Sequence, residues 1–185
     1  MSKGKLFVFS GASGVGKSTV LKRVMERRTD LTFSVSATTR APRPGEVDGE
    51  SYYFVTKEQF EAMIARGEFL EYDAHMANYY GTPAAQAEEK MKKGSVILDI
   101  EPNGAFNVRK AMPDAVLIFI APPSLEELER RLRGRGDTNE EQIRLRTQRV
   151  QWEMEQSKRY DHVVINDQVQ ACADMILNII ANTAD

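Results

Sequence analysis

Apolar residues gather in short unbroken runs at residues 6–9, 96–100, 116–120 and 162–165. Polar positions do not alternate with them, so each run is expected to be a strand covered on both faces, as in a parallel sheet. A turn and then a helical pattern follow each run. Residues 17–28 form the helix after the first. Ser124 opens Ser-Leu-Glu-Glu, a capping box, ahead of Leu125, Leu128 and Leu132. Thr138 opens a second, with Glu141 three residues on. Residues 171–181 place Met175, Ile176, Ile179 and Ile180 on one helical stripe.

Residues 36–93 break this rhythm. They begin with a Pro/Gly/Arg-rich loop, Arg40-Ala-Pro-Arg-Pro-Gly45. A short aromatic strand over residues 52–55 follows, then a helix capped by Thr56, then two short strands over residues 69–74 and 78–82. The segment reads as a small mixed lobe inserted in the parallel core. No internal repeat or low-complexity tract stands out.

Bulk properties narrow the class. A chain of 185 residues fits one domain with a small inserted lobe and buries a proper core. With 42% apolar and 28% charged residues it is an ordinary globular chain. A net charge of −2 argues against a general nucleic-acid or membrane-surface binder. The single cysteine, Cys172, excludes an intrachain disulfide and is expected to fill core. The first apolar run is too short for a signal peptide or a membrane span, so a cytoplasmic enzyme is expected. His75 and His162 have no partners that would complete a metal site.

The strongest local chemistry is Gly11-Ala12-Ser13-Gly14-Val15-Gly16-Lys17-Ser18, followed by Thr19. It fits G-x-x-x-x-G-K-[ST]. Glycines permit the dihedrals that aim successive backbone N–H groups at one anion. The helix that starts there adds its free N–H groups and its dipole. Lys17 would bring a movable charge to the β- and γ-phosphates, and the Ser18 hydroxyl would ligate Mg²⁺. The required context, a strand leading in and a helix leading out, is present. The run Val96-Ile-Leu-Asp99-Ile-Glu101 is apolar and then acidic; carboxylates at a strand end can hold Mg²⁺ or its waters.

The loop does not say what receives the phosphate. Other blocks do. The segment Phe33-Ser-Val-Ser36-Ala-Thr-Thr-Arg40-Ala-Pro-Arg43-Pro-Gly-Glu46-Val-Asp-Gly49, with Tyr52 soon after, closely resembles guanylate kinases. So do Glu68-Phe-Leu-Glu71-Tyr, Asn78-Tyr-Tyr80-Gly-Thr82, Arg131-Leu-Arg-Gly-Arg135-Gly, and Tyr160-Asp with Asn166-Asp167 downstream. The resemblance covers residues 6–180. It implies a three-layer α/β/α fold of the P-loop NTPase type, with a central parallel five-stranded sheet, an inserted small mixed α/β GMP-binding lobe and an arginine-rich helical lid. The implied division of the single domain is a core at about 1–35, 94–133 and 159–185, a GMP-binding lobe at 36–93 and a lid at 134–158.

The resemblance also implies roles. Arg40 and Arg43, with the hydroxyls of Tyr52 and Tyr80, would hold the phosphate of GMP; a guanidinium matches phosphate oxygens bidentately. Glu71 would accept from the two N–H donor groups of guanine, with Ser36 and Thr82 on the remaining edge. Asp99 would lie on the GMP side and Glu101 near the metal. Arg131 would flank the adenine of ATP, and Asn166 would touch it. Seven arginines, Arg130, Arg131, Arg133, Arg135, Arg144, Arg146 and Arg149, crowd one segment. In the lid reading, closure excludes water and brings Arg135 and Arg146 to the transferring phosphoryl group, beside Lys17. The implied reaction is reversible transfer from ATP to GMP or dGMP, giving ADP and GDP, in a monomer or weak homo-oligomer that uses neither nucleic acid nor membrane.

Taken singly, these residues have plainer readings. Arg40 and Arg43 fit a solvated loop pair, Tyr52 and Tyr80 strand packing, and Glu71 an edge-strand surface position. The arginines fit a solvated helix face with Glu140 and Glu141 as partners. The chain departs from the family's pattern at Pro102-Asn103-Gly104, at Asp137-Thr138-Asn139 and at Thr147. A kinase for another nucleotide is the nearest enzymatic alternative. From a different class comes the guanylate-kinase-like scaffold module, which binds phosphopeptides and typically lacks an intact triphosphate loop. A GTPase switch would need an Asn-Lys-x-Asp that is not present.

Overall fold

The structure is a computed structural model that describes residues 4–75, 77–133 and 140–183. In chain order it forms β1 (Leu6–Gly11), α1 (Lys17–Arg27), β2 (Thr32–Phe33), β3 (Ala37–Thr38), β4 (Tyr53–Phe54) and α2 (Lys57–Ala65). Then come β5 (Phe69–His75), β6 (Asn78–Pro83), α3 (Ala84–Met91), β7 (Val96–Asp99) and α4 (Pro102–Ala111). The chain closes with β8 (Val116–Ala121), α5 (Leu125–Arg133), α6 (Glu140–Gln156), β9 (His162–Ile165) and α7 (Val169–Thr183).

The four apolar runs are strands of a five-stranded parallel sheet in the order β2-β7-β1-β8-β9. The fifth strand, β2, is only two residues long and leaves no run in the sequence; it is fixed by pairing Thr32 and Phe33 with Val96 and Ile97. Leu6 to Phe9, Val96 to Leu98 and Leu117 to Ala121 are essentially inaccessible, as doubly covered strands require. β9 departs from that expectation. It is the sheet's edge, and Val163 and Ile165 are 47% and 42% exposed while Val164 is buried. An edge strand lacks a neighbour on one side, and one face of β9 meets solvent.

The inserted lobe is a second, mixed sheet in the order β4-β3-β6-β5. β3 and β4 run parallel, and β3–β6 and β5–β6 run antiparallel. α2 is closed by a complete capping box: Thr56 accepts from the N–H of Gln59 and Gln59 accepts from the N–H of Thr56. Its buried Phe60 stacks on Phe69 (centroids 4.4 Å apart) and Tyr79 (5.2 Å), which locks the helix to β5 and β6.

By internal contacts the chain forms two compact units, Met1–Val8 with Asp30–Ala115, and Phe9–Thr29 with Val116–Asp185. In the second, α7 packs on α1 through a stripe of Cys172, Ala173, Ile176 and Ile180. Met175 is off that stripe and 43% exposed, contrary to its expected place on it. Burial pushes the Cys172 thiol up to about 11, so it is a core atom and no nucleophile at neutral pH. Ser124 caps α5 by accepting from the N–H of Glu127, whose carboxylate pairs with Arg130. The expected cap at Thr138 lies outside the described residues.

Candidate active site

In the second unit β1 delivers the glycine loop directly to α1. Gly14 and Gly16 have φ of 84° and 89°, the left-handed region that side chains strain to enter. Alternation of this kind turns successive N–H groups toward one anion. Gly16 is the N-cap of α1 and offers no side-chain cap bond, so the helix start presents its orphan N–H groups and positive dipole end to a ligand. Lys17 and Ser18 are the first two residues of that helix, and Ser18 and Thr19 are exposed.

The back of the loop is pinned at three points. The N–H of Ala12 donates to the carbonyl of Ile120 at the end of β8 (3.2 Å). The N–H of Ser13 donates to Glu153 of α6 (2.8 Å). The side-chain amide of Asn166, just past β9, donates to the carbonyl of Val15 (2.7 Å). Asn166 is buried, and a Cβ on Gly16 would come within 3.1 Å of its amide nitrogen. The structure therefore places Asn166 behind the loop as a support. Arg131 lies on α5 and Arg146 on α6, while Arg135 is outside the described residues.

The first unit holds the other candidates. Antiparallel pairing of β5 and β6 sets Glu71 directly opposite Thr82, and the Thr82 hydroxyl donates to the Glu71 carboxylate (2.6 Å). Both are buried. Desolvation raises the Glu71 carboxyl from 4.5 to about 7, partly offset by the Thr82 hydrogen bond. A carboxylate kept this dry and this close to a hydroxyl is poised for a ligand that brings N–H donors.

Arg40, Tyr52 and Tyr80 come together at the same small sheet, Tyr80 two residues before Thr82 on β6. The Arg40 guanidinium lies over the Tyr52 ring, 5.4 Å from its centroid, and Tyr52 and Tyr80 meet edge to face at 6.1 Å. One guanidinium nitrogen of Arg40 donates to both carboxylate oxygens of Glu46 (2.8 and 3.0 Å), which also accepts from the N–H of Arg43 (2.7 Å). Those bonds, the Arg40 pair first, hold the Glu46 carboxyl below its usual range, and Glu46 raises Arg40 in return. Arg43 is exposed, and Ser36 is half-buried, its carbonyl bonded to the N–H of Tyr53 (2.9 Å). Asp99 ends β7 and is exposed; Glu101 is the N-cap of α4.

Four supporting residues escaped the sequence reading. Glu46 stood in the quoted block without a role. Glu153 is an acid on the buried stripe Val150, Glu153, Ser157, and that misplaced charge was its only sequence signal. Gln86 on α3 accepts from the Val35 N–H (3.0 Å) and the Ser34 hydroxyl (3.2 Å) and donates to the Tyr53 hydroxyl, bracing the segments next to Ser36 and Tyr52. Gly104, in the first turn of α4, is the fourth. A Cβ there would stand 2.6 Å from Oε2 of Glu71. Gly104→Ala should keep the fold, since alanine favours a helix by about 1 kcal/mol over glycine, yet displace the carboxylate. The expected result is a rise of roughly tenfold in KM for the acceptor with KM for the triphosphate and the melting temperature unchanged, read by steady-state kinetics and thermal melting.

A parallel sheet, a glycine loop and an uncapped helix start define the class: a P-loop nucleotide-binding protein. The family model for guanylate kinase matches residues 3–183. Guanylate kinase of Trichormus variabilis is 48% identical over 176 residues, 95% of this chain and 88% of that protein. That of Thermus thermophilus is 49% identical over 181 residues, 97% of this chain and 82% of its own. The crystal structure of guanylate kinase from Anaplasma phagocytophilum superposes with a TM-score of 0.81 at 36% identity, covering 99% of this chain and 87% of that one. The chain belongs to the guanylate kinase family.

Proposed function

We infer that this protein transfers the γ-phosphoryl group of ATP to GMP or dGMP, reversibly and with Mg²⁺, giving ADP and GDP or dGDP. The observation that carries the acceptor assignment is the buried Glu71–Thr82 pair in the same small sheet as the Arg40–Tyr52–Tyr80 cluster. The first group supplies acceptors and a hydroxyl for a base edge, the second a cation and phenol hydroxyls for a phosphate. Guanine brings N–H donors at N1 and N2; adenine brings a bare N1 that would face the carboxylate's lone pairs. Ser36 completes the guanine edge, Arg43 the phosphate grip, and Asp99 lies on the GMP side.

On the donor side residues 11–19 wrap the triphosphate, with Arg131 toward adenine and Asn166 supporting the loop from behind rather than touching the base. Lys17, Arg135 and Arg146 neutralise charge as the phosphoryl group moves; residues 134–158 act as the lid. No general base is needed, because the attacking atom is already an anionic phosphate oxygen. Ser18 and Glu101 would hold Mg²⁺, which supplies charge neutralisation at the β- and γ-phosphate oxygens. A hydroxyl and a carboxylate are the hard oxygen donors that ion takes, and Mg²⁺ is commonly held by one or two protein oxygen ligands plus phosphates and waters. No helix among the described residues is long and apolar enough to cross a membrane. We place the protein in the cytoplasm, as a monomer or weak homo-oligomer acting on small molecules without nucleic acid or membrane.

The test is a coupled ADP assay with GMP, dGMP, AMP and UMP as acceptors. GMP should exceed AMP by roughly 10⁴-fold in kcat/KM; a preference for AMP overturns the Glu71 assignment. The pH profile is a second check. Guanine's donors favour the ionised carboxylate, and Glu71 titrates at about 7. KM for GMP should therefore rise about tenfold per unit as pH falls below 7 and level off above it. The GMP phosphate itself titrates near 6, so Glu71→Gln serves as reference: it should lose the step near 7 and keep the lower one.

A further inference from the structure

Glu153 is 1% exposed, yet it is a carboxylate within a protein whose task on that side is to bind a polyanion. An ionised acid in such a place is stable only with close partners. It has two of them. Its Oε2 accepts from the backbone N–H of Ser13, the third residue of the phosphate loop (2.8 Å), and its Oε1 accepts from Nε of Arg149 (2.9 Å). Arg149 precedes Glu153 by one turn of α6, the weaker order for a helical ion pair, so the pair is poorly explained as a device for helix stability. It is better explained as charge compensation for an acid whose use is on the loop.

That use follows from the loop's construction. Glycine-rich segments gain close approach to phosphate at the cost of conformational freedom, which must be removed by contacts from outside. Two of the three contacts at the back of this loop come from the strand ends, Ile120 and Asn166. The third comes from α6, the helix that also carries Arg146 two turns earlier. α6 thus holds one side of the loop through Glu153.

We propose that Glu153, neutralised by Arg149, is a positioning residue for ATP: it fixes the backbone of Ser13, preorganises the phosphate loop and ties that loop to the helix bearing Arg146. The proposal rests on the reading of residues 11–19 as the ATP site. An amide keeps an acceptor for the Ser13 N–H, whereas a methyl or thioether does not.

Binding of a non-hydrolysable ATP analogue and of GMP, each measured separately by calorimetry, tests it. Wild-type binding comes first: failure to bind the ATP analogue there would refute the site reading itself and not the role of Glu153. Given that binding, Glu153→Ala should weaken the ATP analogue at least tenfold and GMP less than twofold. Glu153→Gln combined with Arg149→Met, which keeps the acceptor and removes both charges, should return ATP affinity to within about threefold of wild type. If the alanine variant does not fold, Glu153→Met fills the same volume without an acceptor and is judged by the same criterion. Unchanged ATP affinity, equal losses for both nucleotides, or no recovery in the Gln–Met double variant would each overturn the proposal.

Discussion

Lys17→Ala is expected to lower kcat by about 10³-fold, the scale on which one preorganised charged donor acts on a developing transition state, while the melting temperature stays within a degree or two. The reason for the separation is positional. Lys17 is the first residue of α1, half-exposed, and alanine is the best helix former, so the helix loses nothing. What is lost is the one movable charge on a loop whose other donors are fixed backbone N–H groups. Arginine should not replace it, since its planar fork is longer and differently directed than an ammonium. Near-wild-type turnover of the alanine variant in the coupled ADP assay would show that residues 11–18 do not hold the transferred phosphate.

The second large effect is at Glu71, where activity and stability should move in opposite directions. Glu71→Gln puts an N–H group where guanine also offers N–H groups. Leaving such buried donors facing each other should lower kcat/KM for GMP by roughly 10³-fold and shrink the preference for GMP over AMP. The nucleotide-free protein should gain. The carboxyl titrates near 4.5 when unfolded and at about 7 when folded, because burial disfavours its charge. The native state holds the proton more tightly, so this group's contribution is fully present below pH 4.5 and is lost as pH rises through 7. The shift corresponds to about 3 kcal/mol. Glutamine carries no such dependence. Melting should therefore be similar for the two proteins at pH 5 and higher for the variant at pH 8. A variant that melts lower at pH 8 while retaining GMP discrimination would remove Glu71 from the guanine site.

Much of this was legible along the chain. The phosphate loop is a local object: two positive φ angles, a strand before and a helix after, all within residues 6–27. Caps are equally local, which is why Thr56 and Ser124 could be named as caps from spacing alone; the full box forms at Thr56, while at Ser124, where a box was expected, the hydroxyl accepts from the Glu127 N–H and the Glu127 carboxylate pairs with Arg130. Strands of four or more apolar residues announced themselves. Of the two-residue strands only the aromatic β4 did; β2 and β3 exist because longer partners, β7 and β6, supply the hydrogen bonds. The exposed faces of Val163 and Ile165 and of Met175 were misread because a run or a stripe records hydrophobicity, and only the neighbours decide which side is covered.

The sequence by itself determined the class of chemistry. Glycine, lysine and serine at fixed spacing suffice for a phosphate cradle, because its geometry is set by dihedrals within eight residues. Tertiary structure alone decided how the cradle and the acceptor site are tuned. Glu71 owes its neutral-range titration to desolvation on a strand paired with β6, and its carboxylate owes the space it occupies to the bare backbone of Gly104, 33 positions away in sequence. Ser13 finds its acceptor in Glu153, 140 positions away. Solvation and long-range hydrogen bonds depend on which surfaces the topology brings together, and no local pattern of residue types carries that information.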